Sequence, residues 1–319
     1  MRVEQGDAPQ AIAPTDKERI AGAYSPRNLQ RVLSGLHQDG LVVLRGVIDC
    51  SHVDALNKAM CEDAEKKIAD PTQVFNHAVK SNFLQRPPVT QPSLQYDDVY
   101  FNPFLLQVAN AYLGQTPIWN WLTANTALAN TAGMRQNEHK DSMFDHPQCP
   151  YYFIANVPLC DFSVTNGATE FWLGSHAATT VADQQPVTDE SRATWKPADP
   201  MDRIPWISEG AKDARRAVRP PVQPEVVRGD IMIRDLRTWH AGMPNHGDEH
   251  RIMIGLGYQS PVHPNYKQRM HLPLSQQEFF VGHARGRVDV RANFHEDEEF
   301  EKTKADMVFD IRPQYGDDE

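Results

Sequence analysis

The chain contains few cysteines, and they are spread too widely to form a common metal or redox motif. They are Cys50, Cys61, Cys149 and Cys160, and no two of them stand in a C-x-x-C pair. Disulfide scaffolds and cysteine-bound zinc sites need numerous or closely spaced cysteines. We therefore expect free thiols in a reducing compartment.

Long apolar runs and clusters of basic residues are also absent from the sequence. No stretch approaches the roughly 18 apolar residues of a membrane-spanning helix, and the first ten residues lack the apolar centre of a signal peptide. The formal net charge of -10 at pH 7 disfavours nucleic acids and anionic membranes as partners. These absences predict a cytoplasmic protein that binds neither nucleic acid nor membrane.

What is present is the composition of an ordinary globular enzyme. Of the 319 residues, 40% are hydrophobic and 23% are charged, which is enough apolar material for a sizeable core. Residues 1–24 are polar and contain Pro, Ala and Gly, so we predict a flexible N-terminal arm. Residues 25–319 are predicted to form a single domain.

The first part of that domain shows helical patterns on either side of a short strand. Ser25 can cap a helix that Pro26 opens, apolar residues follow at helical spacing, and Gly40 ends the segment. The run 41–47 (LVVLRGV) is rich in β-branched residues and predicts a strand. Further helical patterns follow it, the last over 103–113.

Strand patterns dominate the rest of the chain. The candidates are 118–123, 151–157, 231–234 and 252–258. Residues 177–224 are polar and contain several prolines with little periodicity, which predicts a long lid-like insertion. Short late strands covered by earlier helices predict a mainly β fold with flanking helices, built on a double-stranded β-helix, the jelly-roll or cupin-like core.

A possible metal-binding pair stands at His139-Lys140-Asp141. Side chains two residues apart on an extended strand point the same way, so the imidazole and the carboxylate can reach one ion. An isolated H-x-D pattern is common by chance, and further residues must support the assignment.

That support comes from the segment around His240, which lies just after candidate strand 231–234. A turn separates it from a strand that starts at Arg251, and we predict a hairpin that brings Arg251 beside His240. Two histidines and one carboxylate can hold one face of an iron(II) ion and leave the other positions open, as non-haem oxygenases require. A guanidinium suits the distal carboxylate of a keto acid that binds there, which makes Arg251 the candidate for that contact.

With these motifs the chain resembles the phytanoyl-CoA dioxygenase (PhyH) family, and especially its fungal members that tailor natural products. The resemblance covers about residues 27–262 and rests on the H-x-D motif, on 166–176 (NGATEFWLGSH), and on 229–251. It implies Fe(II) held by His139, Asp141 and His240, with 2-oxoglutarate and O2 as co-substrates. It also implies that 2-oxoglutarate is bound by Arg251, Thr169, Gln136 and Asn82.

The resemblance implies an Fe(II)/2-oxoglutarate-dependent dioxygenase that oxidises a small apolar metabolite by hydroxylation, desaturation or rearrangement. A secondary metabolite such as a terpenoid, meroterpenoid or alkaloid is expected as substrate. Related halogenases have a small residue in place of the metal-binding carboxylate, so Asp141 argues against halogenation. A homodimer is compatible with the resemblance, but no periodicity marks an interface.

Two other functions stay open at this point. One is a catalytically silent PhyH-like subunit that supports an active partner, and the intact ligand set argues against it. The other is a metal enzyme of the same barrel fold that does not use 2-oxoglutarate, and Arg251 and Thr169 argue against that one.

Other polar residues near the motifs are assigned structural roles. His146, His246 and His250 compete as ligands, but they lack the eleven-residue step that separates His240 from Arg251. Asp235 and Arg237 flank the end of the strand and are predicted to form a structural ion pair rather than a part of the site.

Overall fold

The computed structural model describes residues 8–75, 81–131, 135–185, 205–303 and 311–315. Its strands are β1 (Gln10–Ile12), β2 (Leu41–Leu44), β3 (Asn82–Gln85), β4 (Ile118–Ala127), β5 (Tyr152–Pro158), β6 (Glu170–Phe171), β7 (Gln184–Gln185), β8 (Trp206–Ile207), β9 (Ile231–Asp235), β10 (His240–Ala241), β11 (Arg251–Gln259), β12 (Met270–Pro273), β13 (Asp289–Val290) and β14 (Ala292–His295). Its helices are α1 (Asp16–Ala21), α2 (Pro26–Asp39), α3 (Cys50–Ala69), α4 (Asp97–Tyr100), α5 (Pro103–Leu113), α6 (Glu209–Val218), α7 (Gln277–Ala284) and α8 (Asp297–Lys302).

One large sheet organises the structure. Its strand order is β1-β2-β9-β5-β11-β4-β13, and β3 also pairs with β4. The inner strands pair antiparallel, whereas the two edge strands β1 and β13 pair parallel to their neighbours. No helix in the described part of the chain is both long enough and apolar enough to span a membrane.

Both faces of the large sheet are buried, as strand β2 shows. Val42 and Leu44 belong to the core that α2, α3 and α5 cover, whereas Leu41 and Val43 pack against Phe171 of a second layer. Alternate side chains of a strand point to opposite faces, so the helices and the second layer must lie on opposite sides of the sheet. Burying each such side chain contributes about 1.5–3 kcal/mol, which favours this two-sided packing.

The second layer is a narrow ribbon of short paired segments. Strand β10 pairs with β6, His139 forms a bridge with His240, and Phe171 forms a bridge with Val222. The ribbon faces the inner side of the large sheet, and the helices cover the outer side. The predicted mainly β architecture with flanking helices is confirmed.

The predicted elements at the start of the domain match the structure closely. Helix α2 has Ser25 as its N-cap and Pro26 at its first position, and it ends at Gly40 with φ of 70°. A Cβ atom at Gly40 would collide with the side chains of Thr238 and His176. Gly40 therefore both ends the helix and permits close contact with the segment before His240.

The prediction of a flexible arm over residues 1–24 is wrong for residues 8–24, and residues 1–7 lie outside the described part. Strand β1 extends the large sheet, and Ile12 is only 1% exposed. Helix α1 begins with a capping box formed by Thr15 and Glu18. The buried side chains of Ile12 and Tyr24 and a satisfied cap fix this polar segment.

The predicted hairpin between the His240 strand and the Arg251 strand is also wrong. Strand β5 lies between β9 and β11, and His240 itself belongs to β10, which pairs with β6 in the other layer. All seven residues of β5 are buried. A strand with apolar side chains on both faces is most stable at the centre of a sheet, and it separates the two strands that are closer in sequence.

The predicted insertion over 177–224 is folded where it is described, and its part 186–204 lies outside the described residues. Strands β7 and β8 pair with each other, and Ser208 caps helix α6. Charged residues occupy half of α6, and its only apolar residues are alanines and one valine, so its apolar periodicity is weak in the sequence.

Candidate active site

The three predicted ligand residues lie together between the two layers. Their ligand atoms fall within 4.8 Å of one another, and no second group of this kind occurs among the described residues. The Nε2 atoms of His139 and His240 each lie 3.8 Å from Asp141 Oδ1. The ribbon creates this arrangement, because His139 and His240 are directly paired in it and Asp141 follows two residues after His139.

Both imidazole rings are held in one orientation by backbone carbonyl groups. His139 Nδ1 lies 2.7 Å from the carbonyl oxygen of Asn137, and His240 Nδ1 lies 3.1 Å from that of Thr238. A carbonyl oxygen only accepts, so each Nδ1 carries the hydrogen and donates it. The lone pair is therefore on Nε2 of both rings, the atoms that point to the common centre.

Arg234 influences the charge states of Asp141 and His240. Its Nη2 donates to Asp141 Oδ2 at 2.6 Å, and its Nη1 lies 3.4 Å from His240 Nδ1. Burial raises the pKa of Asp141, but the charge of Arg234 and the two histidines outweigh it and hold that pKa well below its usual range. Burial and Arg234 together hold the pKa of His240 well below its usual value. An ionised carboxylate and neutral imidazoles are the forms that bind a metal ion.

Arg251 is a buried cation on the inner face of the large sheet. It is 2% exposed, its guanidinium lies 4.9 Å from the centre of the Phe162 ring, and its Nη1 donates to Met253 Sδ at 3.8 Å. Its Nε finds no hydrogen-bond partner within the described ranges. Burial lowers the pKa of Arg251 to about 10, so the side chain stays charged at neutral pH. Burying a positive charge with no carboxylate beside it costs free energy, so the position of Arg251 fits a site that binds an anion.

Asn82 shares this face of the sheet with Arg251. Both residues are in register with Ala127 of β4, one from each side. Because neighbouring strands lie about 4.8 Å apart, the two backbones are separated by roughly 10 Å. Asn82 is 8% exposed, and its Oδ1 has no hydrogen-bond partner in the described part of the chain.

Thr169 and Gln136 lie on the facing ribbon. Thr169 is buried directly before β6. The backbone of Gln136 donates to the carbonyl of Gly242 at 2.8 Å, and its Oε1 accepts from the N–H of Gly242, also at 2.8 Å. The four predicted co-substrate residues thus come from both walls of the cleft, two from each.

The competing histidines do not join the ligand group. His146 Nε2 lies 3.1 Å from Lys140 Nζ, His250 Nε2 lies 2.9 Å from a carboxylate oxygen of Glu65, and His246 is exposed.

The predicted ion pair between Asp235 and Arg237 is present at 2.8 Å.

An apolar wall lies on the Asp141 side of the ligand group. Ile154 of β5 is in register with Arg234 of β9 on one side and with Gly257 of β11 on the other. Arg234 contacts Asp141, so Ile154 lies beside the strand position that holds this ligand. Ile154 packs in a cluster that includes Tyr151, Tyr152, Leu236 and Ile311, with Trp121 and Phe144 against it.

Two glycines of β11 make room for the aromatic part of this wall. A Cβ atom at Gly255 would lie 2.9 Å from the Trp121 ring, and one at Gly257 would collide with the hydroxyl of Tyr152. Both glycines face the interior because they alternate with Ile254 and Leu256, which belong to the helix-covered core. Aromatic rings therefore lie directly on the strand backbone here.

The described end of the predicted insertion is attached next to the ligands. The N–H of Ile207 donates to the carbonyl of Glu138 at 2.8 Å, and Lys212 Nζ lies 3.0 Å from Glu138 Oε2. Glu138 directly precedes His139. Helix α6 is thus connected to the residue before the first ligand, and Arg215 of the same helix donates to the carbonyl of Leu173.

Arg234 is the residue that the sequence analysis missed. The available signal was a charged residue inside the buried strand IMIRD, where burial requires an anionic partner. Which carboxylate would serve could not be read from the pattern, because Asp141 is distant in sequence.

Solved structures with the same fold include one determined with iron and a keto acid. The epimerase SnoN, in complex with Fe3+, alpha ketoglutarate and nogalamycin RO, is 21% identical with a TM-score of 0.53, over 74% of this chain and 85% of that chain. The carbocyclase SnoK from nogalamycin biosynthesis is 19% identical with a TM-score of 0.51, over 77% of this chain and 87% of that chain. At these identities the similarity shows the fold, the jelly-roll core predicted from the sequence.

The family assignment comes from the sequence as a whole. The family model described as phytanoyl-CoA dioxygenase (PhyH) matches residues 36–253, more than half of the chain, and this range includes the three ligand residues and Arg251. The chain therefore belongs to the phytanoyl-CoA dioxygenase (PhyH) family and is a non-haem iron enzyme of the 2-oxoglutarate-dependent oxygenase class.

Proposed function

We propose that His139, Asp141 and His240 hold Fe(II) and that the enzyme oxidises a small apolar secondary metabolite. The observation that carries the metal assignment is the pair of Nδ1 contacts to backbone carbonyls, which direct both Nε2 lone pairs towards Asp141 Oδ1. Two nitrogen ligands and one carboxylate suit non-haem iron(II).

Arg251 binds the distal carboxylate of 2-oxoglutarate in this proposal. Its guanidinium is buried and charged, and Nε has no partner among the described groups. Its planar face lies against the Phe162 ring, which limits rotation and leaves the edge for a carboxylate. Binding the anion would neutralise a buried charge that has no carboxylate partner in the described ranges.

The other predicted contacts complete the pocket from two sides. Asn82, on the same face as Arg251, offers its amide to a carboxylate oxygen. Gln136 and Thr169 approach from the ribbon, and Gln136 is already oriented by its contact with the N–H of Gly242. We expect their individual contributions to be smaller than that of Arg251, because each is an uncharged donor, whereas a guanidinium can form two parallel hydrogen bonds with both partners charged.

Bound iron and 2-oxoglutarate supply the oxidising chemistry, in which the keto acid is decarboxylated to succinate while dioxygen is reduced. The protein contributes position and the exclusion of water. The apolar wall of Trp121, Phe144 and Ile154 lies level with Asp141 and would hold the target carbon close to the metal.

An apolar metabolite is the substrate class that this wall favours. Its members are aromatic or aliphatic, and the net charge of -10 gives no support to a polyanionic substrate. We propose a compact terpenoid, meroterpenoid or alkaloid, of the kind that fungal members of the family tailor, with hydroxylation, desaturation or rearrangement as the outcome. The two nogalamycin enzymes provide examples of natural-product chemistry on this fold. The segment 177–224 would contribute to substrate selection.

Anaerobic titration of the Fe(II)-loaded protein with 2-oxoglutarate tests the proposal. A chelated keto acid gives a weak visible charge-transfer band, which we expect in the wild type and not in His240→Ala. His246→Ala is the matched control, because His246 is exposed and lies outside the ligand group. Absence of the band in folded, iron-loaded wild type would reject the 2-oxoglutarate site.

The substrate is then sought by measuring succinate. Apolar metabolites are added one by one to the aerobic, iron-loaded enzyme with 2-oxoglutarate, and a true substrate should raise succinate formation and yield an oxidised product. A protein that binds iron and 2-oxoglutarate but oxidises none of a broad set of terpenoids and alkaloids would contradict the proposed substrate class.

A further inference from the structure

Arg234 occupies a position where a cation needs a specific reason. Strand β9 is buried along its whole length, and Arg234 is in register with Leu41 and Ile154 on the inner side of the sheet. Its side chain is 6% exposed. Its closest contact is Asp141 Oδ2, at 2.6 Å.

The two oxygens of Asp141 therefore have different surroundings. Oδ1 lies 3.8 Å from both imidazole Nε2 atoms, whereas Oδ2 accepts a short, charge-assisted hydrogen bond from Arg234. A carboxylate can bind a metal ion through one oxygen or through both. In this arrangement, only Oδ1 faces the centre of the three ligand residues without accepting a hydrogen bond from Arg234.

We propose that Arg234 is a positioning residue that keeps Asp141 a one-oxygen metal ligand. The inference rests on the proposed function, since it concerns how the iron site receives 2-oxoglutarate. Three protein atoms leave three positions open on an octahedral ion. A second carboxylate oxygen would occupy one of them and would compete with the keto acid or with dioxygen.

Arginine is suited to this task because its donors form a rigid planar fork. While Nη2 holds Asp141, Nη1 of the same group lies 3.4 Å from His240 Nδ1. Because His240 Nδ1 already donates to Thr238, the Nη1 contact is one of packing, and the hydrogen bond from Nη2 is what limits rotation of the Asp141 side chain. A lysine would offer a single nitrogen with no fixed plane.

A purely structural ion pair is the alternative, and the chain provides a matched example of one. Arg237 pairs with Asp235 at 2.8 Å, and both residues are buried. This pair is also close to His240 in sequence, but it contacts none of the three ligands; its further contact is the hydroxyl of Tyr112. Substituting Arg237 removes the same kind of pair without releasing a metal ligand.

The experiment compares Arg234→Met and Arg234→Lys with Arg237→Met and Arg237→Lys. Each protein is checked for folding by circular dichroism and loaded with Co(II), and its affinity for 2-oxoglutarate is measured without oxygen. We expect Arg234→Met to retain cobalt but to bind 2-oxoglutarate about tenfold more weakly or worse, in the range typical for loss of a group that orients a metal ligand. Arg234→Lys should lose less, and the Arg237 variants should stay within about twofold of wild type.

The crystal structure of the Co(II) and 2-oxoglutarate complex supplies a second readout. Its wild-type part does not depend on the folding of any variant. The proposal expects a single Asp141 oxygen on cobalt in the wild type and both oxygens in Arg234→Met. Wild-type protein with both oxygens bound would overturn it, as would unchanged 2-oxoglutarate affinity in folded Arg234→Met. An Arg234→Lys variant that binds 2-oxoglutarate as tightly as wild type, while both Asp141 oxygens contact cobalt, would also overturn it. A positive charge at this position would then explain the 2-oxoglutarate affinity without one-oxygen binding by Asp141. Failure of the proposed function differs, since wild-type protein would then not bind 2-oxoglutarate at all.

Discussion

His139 and His240 are joined by a reciprocal pair of backbone hydrogen bonds, at 3.0 and 2.9 Å, and their ring centres lie 4.3 Å apart. The two histidine ligands are thus fixed by main-chain pairing before any metal binds. The third ligand is fixed differently, by the side chain of Arg234. The site depends on a narrow ribbon for its histidines and on the large sheet for its carboxylate.

Arg251→Met should stabilise the ligand-free protein and abolish its response to 2-oxoglutarate. The substitution removes a buried charge that has no carboxylate partner among the described residues, and it also removes the proposed anchor of the co-substrate. Thermal unfolding with and without 2-oxoglutarate measures both effects. A Met variant that is less stable without ligand, yet is still stabilised by 2-oxoglutarate, would contradict this role.

Asn82→Ala should weaken 2-oxoglutarate binding by roughly ten- to a hundredfold with little change in stability, since a hydrogen bond to a charged carboxylate is worth about 1.5–3 kcal/mol. The Oδ1 atom of Asn82 has no partner in the described chain, so little is lost from the folded protein. Asn120→Ala serves as the control, because Asn120 is buried and bonded to Gln259 and Tyr152. That variant should lose stability and keep its 2-oxoglutarate affinity, as titration and urea unfolding would show.

Gly255→Ala should disturb the apolar wall while leaving the co-substrate pocket intact. The new methyl group would lie 2.9 Å from the Trp121 ring, so the ring must shift, and overpacking of this kind costs about 1–3 kcal/mol. Urea unfolding should show the loss of stability, and substrate-dependent succinate formation should fall. Wild-type succinate formation in this variant would argue that the substrate lies elsewhere.

The stability of the protein should fall in acid partly because of Glu18. Burial raises the pKa of Glu18, but hydrogen bonds from Ser25, Thr15 and Asn28 outweigh it and lower that pKa from 4.5 to about 2. A lowered folded-state pKa stabilises the protein above the unfolded-state value, and this contribution is lost as the pH falls from 4.5 towards about 2.

Glu18→Gln tests this contribution. The variant should be less stable than wild type at pH 7, and the difference should shrink between pH 4.5 and about pH 2. Urea unfolding at a series of pH values measures it. A difference that does not depend on pH would show that the Glu18 carboxylate is not held by these bonds in solution.

Much of the local structure and the ligand set could be predicted from sequence because their signals are local. The cap at Ser25, the glycine at Gly40 and the apolar runs each act within a few residues, and helix 103–113 matches α5 at both ends. Two-residue spacing sets both side chains on one side of an extended segment, and here His139 forms an isolated bridge while Asp141 follows in a bend. The proposed roles of Thr169, Gln136 and Asn82 remain predictions that binding measurements must test.

The order of the strands could not be predicted, and the order determines the site. Strands β9 and β11 are closer to each other in sequence than either is to β5. The two-sided burial of β5 nevertheless makes it the central strand between them. The same tertiary arrangement brings Arg234 to Asp141 and sets Asn82 level with Arg251. These contacts join residues that are distant along the chain, and their free energy depends on how whole strands pack.

By itself, then, the sequence indicated which residues can bind a metal ion and where elements such as α2, β2 and α5 lie, because caps, glycines and two-residue spacing act over short distances. Only the tertiary structure decided that Arg251 is a buried cation with no carboxylate partner among the described residues and that Arg234 holds one oxygen of Asp141. Burial and ion pairing arise between elements that meet only when the two layers close, and no local pattern specifies which elements those are.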